Sequence, residues 1–268
     1  MTQSSSKGFA LITGASSGIG AIYADRLAHS GYDLILVARN RERLEQLATR
    51  LGNATQRTVE VVQADLNDSN DLARIAQILE QDQRINVLVN NAGVGATASL
   101  LESEQAKMDA MIQLNVVALT RLAKAAATHF AARAEGTIIN ISSIVALAPE
   151  LLNGVYGGTK AFVLAFTQSL HHELSEKGVK VQAVLPGATS TEFWDTAGLP
   201  VQHLPSEIVM SAEQMVDAAL AGLALGELVT IPSLPDIADW QAFEQARQSL
   251  KPNLSLQVPA ARYRIDAR

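Results

Sequence analysis

Seven short apolar runs recur along the chain, at 9–13, 34–37, 59–62, 87–89, 137–141, 179–185 and 228–231. Runs of that length without polar alternation read as strands buried on both faces, the environment of a parallel sheet covered by helices. The stretches between them, at 20–30, 41–52, 69–82, 103–131 with a break, 154–177 and 212–225, carry helical patterning. Right-handed crossovers then predict an α/β fold, a Rossmann-type doubly wound parallel sheet of about seven strands flanked by helices. Hydrophobic residues make up 48% of the 268 positions and aromatics only 4%, so the core is expected to be large and aliphatic.

No Pro/Gly/Ser-rich linker and no internal repeat divides the first 185 residues, and 1–268 reads as a single domain. Two segments fall outside the alternation. Residues 187–210 have no clear periodicity and carry Pro200 and Pro205, a connection of the length that usually serves function. Ser211 and Gln214 then match a capping box that restarts a helix. Residues 232–268 hold Pro232, Pro235, Pro252 and Pro259 and read as a C-terminal extension of turns wrapping the body.

Several function classes drop out on composition. There is no cysteine, which removes disulfides, thiolate nucleophiles and Cys-ligated metals. Five histidines show no metal-ligand spacing, so no metal is expected. A net charge of −6 argues against a nucleic-acid surface. No stretch approaches the ~18 apolar residues of a membrane span, and 1–7 lack the apolar core of a signal peptide. The expectation is a soluble, cytoplasmic protein.

Directly after the first run comes Thr13, Gly14, Ala15, Ser16, Ser17, Gly18, Ile19, Gly20, leading into a helix. Glycines let backbone amides approach a phosphate closely, and a helix N-terminus adds unpaired N–H groups and a positive dipole end. The Gly-x-x-x-Gly-x-Gly spacing differs from the generic Gly-x-Gly-x-x-Gly of dinucleotide sites, and a tight turn without a ligand is the alternative. Such sites place an acidic residue about 20 positions on, where it holds the adenosine ribose 2′-OH. Here that place holds Ala38, followed by Arg39, Asn40 and Arg41. A 2′-phosphate could pair with the Arg39 guanidinium, which predicts NADP(H) over NAD. Arg41 and Arg43 read instead as the start of a solvated helix, with Arg41 and Glu45 forming an i,i+4 pair.

Tyr156 and Lys160 stand four apart in a helical stretch and so share a face. A phenol is a poor proton relay at neutral pH, but a neighbouring ammonium favours its ionised form and is expected to lower its pKa. Ser143 lies at the C-terminal end of the run 137–141, where open α/β sheets bind ligands, and its hydroxyl could donate to a carbonyl oxygen. Ser142 competes for that role; side chains alternate along a strand, and the spacing to Tyr156 favours Ser143.

These residues together resemble the short-chain dehydrogenases/reductases, in the compact subclass with TGxxxGxG and YxxxK motifs, over nearly the whole chain. Asn90, Asn91, Ala92 and Gly93 are similar to that family's NNAG element, which stabilises the sheet and borders the cofactor. The resemblance makes Asn115, Ser143, Tyr156 and Lys160 the catalytic set, with Asn115 kinking its helix and holding a water that links the lysine to solvent. It assigns cofactor contacts to Gly14, Ser16, Ser17, Gly18, Ile19, Gly20, Arg39, Asp65, Leu66, Asn91, Ala92, Gly93, Tyr156, Lys160, Pro186, Gly187, Thr189 and Thr191. Gly157 and Gly158 depart from the usual pattern, and two glycines so early in a helix suggest close packing or cofactor approach.

The implied reaction is hydride transfer between NADP(H) and a carbonyl, with Ser143 stabilising the oxyanion and Tyr156 exchanging the proton. The loop 187–210 becomes the substrate-binding loop, with Phe193, Trp194, Leu199, Val201 and Leu204 on one side and Ile144, Val145, Leu151 and Leu152 on the other. So apolar a lining predicts a hydrophobic ketone or aldehyde over a polyol. A homodimer or homotetramer is expected through the Ala-rich helices at 115–131 and 154–177. A non-catalytic NADP sensor, against which the complete catalytic set argues, and a structural subunit, whose interface is compatible with catalysis, are the alternatives.

Overall fold

The structure is a computed structural model, and it describes residues 6–264. Six strands come first in the chain: Phe9–Thr13 (β1), Asp33–Ala38 (β2), Val59–Gln63 (β3), Ile85–Asn90 (β4), Gly136–Ile141 (β5) and Val179–Val184 (β6). Thr189–Ser190 (β7) and Met210–Ser211 (β8) pair with each other, and Val229–Thr230 (β9) closes the main sheet. The seven-stranded sheet runs in the order β3-β2-β1-β4-β5-β6-β9, and every pairing is parallel. This is the expected Rossmann-like α/β fold, with its switch of strand order between β1 and β4, the place where such sheets bind ligands.

Helices α1 (Gly18–His29), α2 (Arg41–Thr55), α3 (Ser69–Gln81), α4 (Gln105–Ile112), α5 (Leu119–Arg133), α6 (Gly154–Leu174), a short α7 (Phe193–Ala197) and α8 (Ala212–Leu225) complete this part of the chain. All five residues of β1 are buried, as a strand covered on both faces requires. One apolar layer joins Leu11, Ile35 and Ile138 to Leu79, Leu122 and Phe130, on the side of α3 and α5. The other joins Ile12, Leu36 and Ile139 to Leu27, Leu44 and Val216, on the side of α1, α2 and α8. Ser211 caps α8 through its hydroxyl, which accepts from the Gln214 N–H at 3.1 Å.

The helical stretch expected at 103–131 divides as α4, a π-helical turn at Gln113–Ala118, and α5. The connection 187–210 is more ordered than its lack of periodicity predicts. It holds β7, α7 and two 3-10 turns.

Contacts group the residues up to Pro232 in one compact unit and those from Ser233 in a second. Where turns are expected, the second unit has helix α9 (Ile237–Ser249). Pro235 and Pro252 flank the helix rather than interrupt it, and the Asp236 carboxylate caps it by accepting from the Ala238 N–H at 2.8 Å. Among the described residues no helix is long and apolar enough to cross a membrane.

Candidate active site

The turn after β1 is shaped by its glycines. Gly14 and Gly18 have φ of +64° and +52°, a region most side chains avoid. A Cβ at Gly14 would stand 2.9 Å from the Ala92 Cα, and one at Gly20 would meet the Gly14 carbonyl oxygen. Thr13 ties this turn to the chain after β4: its hydroxyl accepts from the Asn91 and Ala92 N–H groups, both at 3.0 Å. The Asn91 amide returns to the Thr13 carbonyl at 2.9 Å. Ser16, Ser17, Gly18 and Ile19 are half-exposed at the mouth of α1. Ser17, the N-cap residue, makes no side-chain cap, and no acidic residue stands in the first turn. The helix therefore keeps free N–H groups and an uncompensated positive end, which suits a pyrophosphate.

At the end of β2, Arg39 is exposed. Among the described residues its guanidinium has no ion-pair partner, whereas Arg41 pairs with Glu45 at 2.7 Å, as the i,i+4 spacing predicts. Arg43 does something the sequence did not suggest. It reaches Glu192, at the start of α7, at 2.6 Å. Asp65 uses its carboxylate to accept from the Asn67 N–H at 3.0 Å. The Leu66 side chain lies in the core, so only its main chain can meet a ligand.

Tyr156, Lys160 and Ser143 come together beyond the C-terminal end of β5. Asn153 caps α6, its side-chain oxygen accepting from the Val155 and Tyr156 N–H groups at 2.9 and 3.2 Å. The same side chain donates to the Ala98 carbonyl at 2.6 Å. Asn153 thus sets where Tyr156 starts its helix, and an Asn at a helix entry was the available signal. The Ser143 hydroxyl donates to the Pro186 carbonyl at 3.4 Å and lies near enough to the Tyr156 hydroxyl to favour its ionised form. Ser142 points elsewhere, donating to the Lys160 carbonyl at 2.7 Å. The Lys160 ammonium donates to the Ile141 carbonyl at 2.9 Å and lies 5.8 Å from the centre of the Tyr156 ring.

Asn115 sits in the π-helical turn, a local widening that often marks functional positions. Its amide donates to the Val94 carbonyl at 2.8 Å and to the Thr159 hydroxyl at 3.1 Å, and its oxygen accepts from the Val94 N–H at 3.0 Å. With both amide hydrogens used, any water held here must donate to an acceptor, either the Asn115 side-chain oxygen or a carbonyl. Gly93 lies between this group and the lysine. A Cβ there would stand 3.1 Å from Asn115 Oδ1 and 3.5 Å from Lys160 Nζ. Gly157 packs on Pro149, which a Cβ would approach to 3.1 Å, while Gly158 faces open space.

Burial decides the protonation of the pair. It pushes the Tyr156 phenol up to about 12, and the nearby Ser143 hydroxyl offsets only part of this. It brings the Lys160 ammonium down to about 8. The neighbouring ammonium is expected to lower the phenol pKa; it donates to the Ile141 carbonyl instead, and desolvation of the phenol is the larger influence.

After β6, the Pro186 carbonyl accepts from the Ile144 N–H at 3.0 Å, and the Gly187 carbonyl accepts from the Thr189 hydroxyl at 3.1 Å. Thr191 lies on the glycine turn, since a Cβ at Gly18 would come within 3.2 Å of it. An apolar cluster around Tyr156 gathers Val145, Leu152 and Phe193 with Met111, Val94, Ala96 and Val155. The last four were not singled out from the sequence. Leu151 is 57% exposed and stands outside this cluster.

A short chain dehydrogenase family model matches residues 8–199. The chain belongs to that family and is an oxidoreductase of its α/β type. Human 17-beta-hydroxysteroid dehydrogenase type 3 is 36% identical over 223 residues, 81% of this chain and 69% of that protein. A short-chain dehydrogenase from Sphingobium yanoikuyae, solved in complex with NADPH, is 48% identical with a TM-score of 0.93, covering 96% of this chain and 99% of that one. The bulky-bulky ketone specific alcohol dehydrogenase from Comamonas testosteroni is 45% identical with a TM-score of 0.88, covering 96% and 98% of the two chains.

Proposed function

We propose that the protein is an NADP(H)-dependent oxidoreductase that interconverts a bulky, apolar ketone or aldehyde and its alcohol, with Tyr156 as acid and base. One observation carries the reading: Ser143, Tyr156 and Lys160 converge at the edge of the sheet where the glycine turn offers an anion site. The NADPH-bound and ketone-specific relatives support the cofactor and the substrate class.

A bound nicotinamide would supply the hydride. Gly14, Ser16, Ser17, Gly18, Ile19 and Gly20 would hold the pyrophosphate, Arg39 the 2′-phosphate and Asp65 with Leu66 the adenine side. Asn91, Ala92 and Gly93 would border the cofactor on one flank, and Pro186, Gly187, Thr189 and Thr191 on the other. Ser143 donates to the carbonyl oxygen of the substrate and stabilises the charge that develops there. The Tyr156 hydroxyl gives that oxygen its proton, and Lys160 would hold the nicotinamide ribose and take part in resupplying the proton. Asn115 is a positioning residue, bracing the Val94 strap and Thr159. A phenol pushed up to about 12 is protonated at neutral pH, the form that can donate to a carbonyl oxygen.

A homodimer or homotetramer fits the half-exposed apolar side chains Ile112 and Val117 near the start of α5 and Phe162 on α6. The test is NADPH oxidation measured against a carbonyl panel. Bulky apolar ketones are expected to react fastest, and NADPH to bind more tightly than NADH. Faster turnover of sugars, or tighter NADH, would contradict the proposal.

A further inference from the structure

The Tyr156 side chain that the proposed reaction needs is packed against a neighbouring ring. Tyr156 is only 5% exposed, and the Phe193 ring lies against it at 5.8 Å between centroids, tilted by 44°. Phe193 can lie there because residue 95 is glycine. A Cβ at Gly95 would stand 2.8 Å from Phe193 Cε2 and collide with Cζ, closer than real side chains pack.

The main chain on both sides of this ring is tethered. The Thr97 N–H and hydroxyl both donate to the Ala197 carbonyl, at 3.1 and 2.8 Å, joining the strap after β4 to α7. Arg43 holds Glu192, the residue before Phe193, and the Trp194 indole N–H after it donates to the Thr189 carbonyl at 2.9 Å. The Phe193 main chain is held by the Thr191 and Thr196 hydroxyls, at 3.4 and 2.8 Å, while its ring packs in the apolar cluster and against the edge-on Trp194 ring at 5.6 Å. A ring with no polar tether can rotate while the loop that carries it stays in place.

We propose that Phe193 and Gly95 act as a pair that sets substrate size. Phe193 is the specificity-determining wall for the larger apolar substituent of the carbonyl compound, and Gly95 sets how far that wall reaches over Tyr156. A flat ring on the substrate takes the place against Tyr156 that Phe193 now fills, as the Phe193 side chain swings aside. Apolar pockets discriminate by about 10- to 200-fold for changes of this kind, so the pair can dominate selectivity without touching the reacting atoms. The inference rests on the ketone reading above and deepens it.

The test compares kcat/KM with NADPH for a diaryl ketone and for an aryl methyl ketone. It uses wild type, Phe193→Ala, Phe193→Leu, Gly95→Ala and the Gly95→Ala/Phe193→Ala double variant. Phe193→Ala is expected to raise the diaryl-to-methyl ratio about tenfold, with Phe193→Leu between it and wild type. Gly95→Ala is expected to shift the ratio by about threefold or more, and to have no effect once Phe193 is alanine, because the atoms it strikes are gone.

An unchanged ratio in Phe193→Ala, or a Gly95→Ala effect of equal size with and without Phe193, would overturn the proposal. Thermal melts of each variant separate a loss of fold from a change of selectivity, and Phe193→Leu keeps most of the apolar volume. Wild-type rates on the two ketones test the reaction itself, and the ratio tests the pair. If wild type reduces neither ketone, their relative binding to the NADP+ complex, followed by Trp194 fluorescence, must show the same coupling between positions 95 and 193.

Discussion

Two regions meet at Tyr156 and are built in opposite ways. The sheet edge is cross-braced: Thr13 bonds Asn91 and Ala92, Asn153 bonds both α6 and Ala98, and Asn115 bonds Val94 and Thr159. These groups are largely buried, and each removes a degree of freedom from a residue near the hydroxyl. The loop from Gly187 to Met210 instead reaches the rest of the protein through a few links, among them Thr97 to Ala197 and the exposed pair of Arg43 and Glu192. The contrast suggests a division of labour: a braced edge that holds the groups proposed to transfer the proton, and a tethered cover whose Phe193 ring selects what reaches them.

The sharpest way to break this contrast is to damage the braced side. Lys160→Met is expected to lower kcat/KM by about two to three orders of magnitude, as loss of a proton-transfer partner does. It also carries a stability signature. Below about 8 both the folded and unfolded chains hold the Lys160 proton; between about 8 and 10.5 only the unfolded chain does. Raising the pH across that window therefore stabilises wild type, and the gain disappears in Lys160→Met. Above the ordinary tyrosine value of 10.0 the slope is opposed and then reversed, because unfolded phenols ionise while Tyr156 and Tyr23, both raised by burial, stay protonated. Urea melts from pH 7 to 11 check both slopes.

Arg39→Ala probes the cofactor end of the same edge. It is expected to weaken NADPH binding by about tenfold or more while leaving NADH binding nearly unchanged, the loss of one charge-assisted contact to phosphate. Calorimetric titration with both cofactors decides it, and an equal loss for the two would remove Arg39 from the 2′-phosphate. The smallest effect belongs to the cover. Glu192→Gln breaks a solvent-exposed ion pair and is expected to change KM by less than about threefold, with the change fading at high salt. An effect on kcat as large as that of Lys160→Met would dissolve the distinction between edge and cover.

The same contrast explains what could be read in advance. Strands such as Phe9–Thr13 were legible because burial on both faces leaves a continuous apolar run. Their parallel order followed from the helices between them, and the glycine turn and the Tyr156/Lys160 spacing are local patterns that survive in a linear string. Features that depend on distant partners did not survive. The π-helical turn at Gln113–Ala118 follows no spacing rule, and Arg43 meets Glu192 across 149 positions. The Tyr156 shift runs opposite to the expectation for the same reason: sequence shows the neighbouring lysine but not the depth of burial, which is the larger influence. In α9, four prolines over 232–268 suggested turns throughout, yet Pro235 and Pro252 fall just outside the helix.

The central claim is that the buried Tyr156 phenol delivers the proton. It is tested most directly by single-turnover reduction of an apolar ketone in Tyr156→Phe beside wild type, with NADPH affinity measured on both. The account predicts a rate loss of about 10²- to 10⁴-fold with cofactor affinity changed by no more than a few fold. A Tyr156→Phe variant that binds NADPH normally and reduces the ketone at the wild-type rate would contradict it.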